Sequence, residues 1–287
     1  MAYDPDAAFE VKQFDVEYRQ GDDGPLLAHI FHPQGDGPFP ALLRVHGGAW
    51  VRSDRLEQAA LCEALAATGL LVASIDFRQA PAHPYPASVA DVNYASRWLK
   101  AHARDFNGDA IRLGAHGNAS GGHLAVLSGL RPRDARYSAT ALTDGSVADA
   151  TLAYIIVTAP ILDPYGRYLF AQEIGREDLA TRTVDYFLTQ ENMQEGNPQL
   201  ILDRKEPVEL PPLLILQGAN DGNVTPAMQE RFVAAYRASG GDAQLEIFQD
   251  VAHGFGGGRD PESQHALRLT TQFIGRHVGT SALHASG

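Results

Sequence analysis

The stretch Ile111-Arg112-Leu113-Gly114-Ala115-His116-Gly117-Asn118-Ala119-Ser120-Gly121-Gly122-His123-Leu124-Ala125 decides how the chain is read. A short apolar run enters a glycine-framed turn, and a helix-like run leaves it. That is the layout of a nucleophile elbow, Gly-x-Ser-x-Gly, in which a serine sits on a sharp strand-to-helix turn. Gly117 and Gly121 stand two residues before and two after position 119, where a Cβ would clash in so tight a turn. Position 119, where serine is expected, holds alanine. Shifting the frame by one makes Ser120 the nucleophile, but Asn118 then takes the leading glycine's place and only Gly122 fits. Two glycines in register favour position 119 over one glycine and a bulkier residue. The bland alternative is a Gly-rich strand-to-helix loop of the kind that holds phosphate.

Outward from this turn, apolar runs alternate with helical patterns, which predicts a mostly parallel sheet flanked by helices. Strands are expected at 9–18, 26–31, 41–45, 70–76, 110–115, 152–157, 213–216 and 245–248. Helices are expected at 56–67, 89–103, 228–238 and 265–274. The 287 residues read as a single α/β domain of eight strands. Residues 163–206 break the alternation and carry Tyr165, Tyr168, Phe170, Tyr186, Phe187 and Met193. They read as a small helical cap inserted over the site, with a surface helical excursion as the equal alternative.

A serine hydroxyl needs a base to take its proton and a third group to orient that base. In this architecture the partners follow in the order nucleophile, acid, histidine. Asp221 lies just past the apolar run 213–216, and His253 just past 245–248. Loops beyond strand ends are where α/β sheets place their ligand sites. Alone, Asp221 reads equally as a turn residue and His253 as a surface-loop histidine; in this order they read as a triad, with Asp163 and Asp250 as fallback acids. An oxyanion hole is expected from His46-Gly47-Gly48-Ala49-Trp50, with donors at Gly48 and Ala49, Gly47 as a further candidate, and the N–H of Ser120. His46 is expected to brace that loop through its side chain. Trp50, Tyr165, Tyr168 and Phe187 are candidate substrate contacts, core packing being the competing reading for Trp50.

Taken together, these motifs resemble the α/β-hydrolase fold. Asp76-Phe77-Arg78-Gln79-Ala80-Pro81, His83-Pro84-Tyr85-Pro86-Ala87 and Asp91-Val92 resemble hormone-sensitive-lipase-like carboxylesterases. In that family the stretch braces the site and does no chemistry. The surroundings of Asp221 and His253 are also similar to the arylformamidase and feruloyl-esterase-like branch. The likeness runs from Ala41 to Ile274 and implies a serine hydrolase of small or medium carboxylic esters, with amides or lactones as alternatives. Three departures stand out: Ala119 at the nucleophile, Ala49 in place of a third loop glycine, and a short N-terminal cap. Ala119 admits three explanations: an engineered Ser→Ala change, a natural ligand-sensing protein on a hydrolase fold, or Ser120 as working nucleophile.

Composition narrows the partners. With 35 acidic against 23 basic residues, a net charge of -12 and no Lys/Arg cluster, the chain argues against nucleic acid and anionic membrane. No apolar run reaches membrane-spanning length and no signal peptide is visible, which reads as cytoplasmic. Cys62, the single cysteine, excludes an internal disulfide and reads as a buried helical thiol beside Leu61 and Leu65. Eleven histidines raise the question of metal, but no ligand spacing is present, and no dinucleotide fingerprint follows the early strands. No cofactor or metal is therefore expected. A homodimer is allowed, and residues 279–287 are expected to fray.

Overall fold

The computed structural model describes residues 3–21 and 23–279. The expected fraying beyond Gly279 lies outside these residues. The elements run β1 (Val11–Gly21), β2 (Gly24–Pro33), β3 (Phe39–Val45), α1 (Ala59–Ala67), β4 (Leu71–Ile75), α2 (Ala87–His102), β5 (Gly108–Asn118) and α3 (Ala119–Leu130). They continue with α4 (Ala135–Ser138), β6 (Tyr154–Thr158), α5 (Pro164–Glu173), α6 (Glu177–Phe187), α7 (Gln190–Glu195) and α8 (Pro198–Asp203). The chain closes with β7 (Leu213–Gly218), α9 (Pro226–Ala238), β8 (Ala243–Phe248) and α10 (Pro261–Val278).

One eight-stranded sheet has the order β1-β2-β4-β3-β5-β6-β7-β8. The β1–β2 and β2–β4 pairs are antiparallel, and every pair from β4 onward is parallel. This is the α/β-hydrolase fold. Parallel strands are covered on both faces, so they read as unbroken apolar runs. Their alternation still sorts the side chains. Leu43, Val45, Ile155, Val157 and Ile215 join the core under α2, α3 and α9. Leu42, Val72, Ile156, Leu214 and Leu216 face α1 and α10. Each such side chain, fully buried, stabilises the fold by roughly 1.5–3 kcal/mol.

The parallel arrangement puts the C-terminal ends of β3, β5, β7 and β8 on one edge. That is where ligand sites of open α/β sheets form. The first helix starts later than its sequence pattern predicts. Asp54 Oδ1 accepts from the N–H of Leu56 at 2.8 Å in a tight turn, and Gln58 takes a left-handed φ of 56°. Helical geometry therefore begins only at Ala59, and Leu56 is exposed. Between β6 and β7 the chain makes four short helices, α5 to α8, which form the excursion expected over 163–206.

Candidate active site

The end of β5 turns directly into α3 with Ala119 at the turn. Ala119 has φ 47°, a left-handed conformation that costs a side-chain-bearing residue about 1–2 kcal/mol. Such outliers persist where the surroundings over-determine them, commonly at functional positions. The surroundings here are tight. A Cβ on Gly121 would stand 2.2 Å from His46 O and 2.3 Å from Val45 O, and one on Gly117 would stand 2.6 Å from Gly121 O. Only glycine lets α3 press against the end of β3. Ser120, by contrast, is fully buried, and its Oγ accepts from the N–H of Trp50 at 3.2 Å. That places the Ser120 hydroxyl inside the fold and at odds with a nucleophile's need to meet substrate.

After β3, three consecutive residues are left-handed: Gly48 (φ 102°), Ala49 (56°) and Trp50 (63°). A Cβ on Gly48 would sit 2.0 Å from Arg52 O, so the loop closes only with glycine there. The N–H groups of Gly48 and Ala49 make no hydrogen bond among the described residues. The N–H of Ser120 lies in the first turn of α3, where amides have no intrahelical acceptor and the helix dipole is positive. His46 is buried and holds the loop through Nδ1 against Gly47 O at 2.8 Å, its ring stacked 4.2 Å from Phe77. Burial, against the opposing bond to Gly47, lowers its pKa to about 4, which keeps it neutral.

Asp221 and His253 lie on the loops after β7 and β8. His253 Nδ1 donates to Asp221 Oδ2 at 2.8 Å. Burial pushes the Asp221 carboxyl upward, but the His253 bond and charge and the N–H groups of Val224 and Asn223 outweigh it. Its pKa is held below the usual carboxylate value. Gln217 Nε2 donates to the same Oδ2 at 3.1 Å, so the carboxylate is fixed from two sides. The fallback acids stand elsewhere. Asp163 caps α5 and accepts from Gly166, Asn197 and Arg231. Asp250 lies on an exposed turn.

A cavity of about 570 Å³ brings Gly48, Ala49, Ala119 and His253 together on one wall. The same cavity is lined by Asn223 and, from the α5–α6 region, by Arg167 and Leu179. Gly47 is not on the wall; a Cβ there would meet Asn118 Nδ2 at 2.8 Å. The four aromatic candidates are not on it either, which corrects that expectation. Trp50 is fully buried, stacked 4.9 Å from Tyr186 at 2°, and its Nε1–H donates to His123 Nδ1 at 3.0 Å. Phe187 is likewise buried, in the same cluster. Tyr165 and Tyr168 are half-buried against the core. The physical reason is that α5 to α8 must bury their own apolar side chains. They do so against Trp50 in the loop after β3, leaving polar residues to face the cavity.

Sequence reasoning missed those polar residues. Asn223 Nδ2 donates to His253 Nε2 at 3.1 Å, and Asn223 Oδ1 accepts from Arg167 Nε at 2.8 Å. Behind the elbow, buried Arg44 Nη2 donates to Glu57, Gln58 and Asn118 at 2.8–2.9 Å. An arginine inside an apolar run carries no periodic signal. Asn223, two residues past Asp221, was within reach of the motif. The stretch 76–92 is tied to the loop after β3 and to β1. Asp91, fully buried, pairs with Arg78 and Arg19, and Ala80 N donates to Trp50 O at 3.0 Å.

Comparison with known proteins gives the chain's family and fold. The BD-FAE family model matches residues 29–235. Esterase LipC of Mycobacterium tuberculosis is 32% identical over 264 residues, 87% of this chain and 62% of LipC. The probable carboxylic ester hydrolase LipM of the same organism is 27% identical over 201 residues, 68% of this chain and 44% of LipM. The chain thus spans about half the length of these relatives. Among solved structures, the propionate-bound esterase Est2 of Thermogutta terrifontis superposes with TM-score 0.73 at 23% identity, covering 96% of this chain and 97% of that one. A hyperthermophilic esterase of Pyrobaculum calidifontis superposes with TM-score 0.75 at 21% identity, covering 94% and 87%.

Proposed function

This chain belongs to the BD-FAE family of α/β-hydrolase-fold proteins, and on that premise we propose that its cavity is an acyl-transfer site for small or medium carboxylic esters, stopped at the binding step by Ala119. The observation that carries the reading is the convergence on one cavity wall of a strained elbow residue, a carboxylate-oriented histidine and unpaired loop N–H groups. With serine at position 119, the hydroxyl attacks the ester carbonyl while His253 Nε2 takes its proton. Asp221 holds the Nδ1–H tautomer, and Asn223 yields its place at Nε2 to the hydroxyl. Charge developing on the carbonyl oxygen rests on the N–H groups of Gly48, Ala49 and Ser120. Proton return expels the alcohol, and water then releases the acid with His253 again as base. The helices α5 to α8 act as the lid, since Arg167 and Leu179 close one side of the cavity. The single cysteine, Cys62, is a buried free thiol, which suits a reducing, cytoplasmic setting.

A second reading is favoured by a specific pair of observations: alanine at the elbow and an amide already bonded to His253 Nε2. Both suit a protein that holds a ligand without turning it over. One comparison separates the two. Hydrolysis of a short 4-nitrophenyl ester is measured for the chain and for Ala119→Ser. The ester-site reading predicts turnover only in the substituted chain. Turnover in neither, with ligand binding retained, leaves the binding protein.

A further inference from the structure

The chain is strongly acidic, yet the cavity is not. The charged residues on its wall include Arg52, Arg167, Arg176 and Arg182, set against Glu57 and Asp178 only. Asp178 is taken by Arg176, with Nε–Oδ1 at 2.9 Å. Glu57 is taken by Arg44, with Nη2–Oε2 at 2.9 Å. Three guanidiniums therefore face the cavity without an acidic partner, in a protein of net charge -12. Arg52 is exposed and Arg182 half-buried, and neither forms an ion pair among the described residues.

Arg167 is the informative one. It is 1% exposed, reaching from α5 toward the loop after β7. Its Nε donates to Asn223 Oδ1 at 2.8 Å and its Nη1 to Thr183 Oγ1 at 3.0 Å. Its Nη2 is buried and has no partner. A buried charged donor left unpaired is costly, so such groups are normally matched. Burial, and the nearby charges of Arg176 and Arg182, weaken its hold on the proton, lowering its pKa to about 10; Asp178 and Asp221 act the other way. It remains a cation beneath the cavity wall, with Nη2 shielded and without a partner.

We propose that the ligand of this cavity carries a carboxylate, seated on the guanidiniums of Arg182 and Arg52 and drawn by the buried cation of Arg167 in the same wall. A guanidinium fork matches the two oxygens of a carboxylate, and the bond is charge-assisted on both sides. The substrate class is then an ester bearing a free acid group, such as a dicarboxylic monoester, rather than a neutral ester. The Arg167–Asn223–His253 chain puts the Arg167 cation on the far side of the asparagine from the imidazole.

The inference rests on the reading of the cavity as an ester site, but its test needs no turnover. Monobenzyl succinate and neutral benzyl pentanoate are titrated calorimetrically into the full chain as it stands, with Ala119 in place. The acid ester is expected to bind at least about tenfold tighter, the least a charge-assisted hydrogen bond delivers. That advantage shrinks in high salt and falls severalfold in Arg182→Gln. Arg167→Gln is expected to abolish the preference; if it fails to fold, Arg182→Gln decides. Equal binding of the two esters, a preference untouched by Arg182→Gln, or inorganic phosphate competing as well as the acid ester would overturn the proposal. Failure here leaves ester turnover by Ala119→Ser standing. A carboxylate preference without turnover in that variant sinks the ester reading alone.

Discussion

His123 joins three parts of the site, and its protonation is expected to loosen them. It stands four residues past the elbow on α3, fully buried. Its Nδ1 accepts from the indole N–H of Trp50 at 3.0 Å, and its Nε2–H donates to Gly196 O, beyond α7, at 2.8 Å. A second proton has nowhere to go, because Nδ1 already faces a donor. Burial lowers the pKa from 6.5 to about 4 against the opposing bond to Gly196. The unfolded chain binds this proton more tightly than the folded one. The stability held by neutral His123 is therefore fully present above 6.5 and is lost progressively as the pH falls towards 4. Between pH 7 and pH 5 the loss from this group is about 2 kcal/mol, or roughly 3 °C in Tm for a chain of 287 residues. His123→Gln keeps an acceptor and a donor but does not titrate. Thermal unfolding of both chains at pH 7 and pH 5 isolates the effect, since His46 and His116 contribute to each alike. The fall in Tm is expected to be smaller in His123→Gln by that amount. An identical fall in the two chains refutes the reasoning.

Two further outcomes are expected. In the Ala119→Ser background, Asp221→Asn removes the carboxylate that fixes the His253 tautomer and lowers kcat on a 4-nitrophenyl ester by about 10⁴-fold; an unchanged kcat would detach Asp221 from the chemistry. Gly121→Ala puts a Cβ 2.2 Å from a carbonyl oxygen of the neighbouring strand end and is expected to cost about 1–3 kcal/mol or more in urea unfolding, whereas full stability would show that the elbow is not tightly packed.

The sheet was legible because parallel strands, buried on both faces, leave apolar runs such as Leu213 to Leu216 that no amphipathic helix produces. The elbow was legible because backbone crowding admits only glycine at 117 and 121. Asp221 and His253 could be read from their order along the chain, and the structure brings them within 2.8 Å. The cavity wall was not legible. Aromatic residues near a candidate site suggest ligand contacts, but Trp50, Tyr186 and Phe187 satisfy one another first. Which face of α5 and α6 turns inward depends on packing with the loop after β3, which is a long-range matter. Arg167 is buried among those helices against the ordinary preference of arginine, so only the fold could reveal it.

The most direct test of the ester site asks where an acyl group would be carried. The chain and its Ala119→Ser variant are each exposed to an aryl fluorophosphonate and analysed by peptide mass spectrometry. One phosphonyl group at position 119 of the variant, and none on the unaltered chain, is the predicted result. Phosphonylation of Ser120 in either chain, or no adduct on a folded variant, would contradict it.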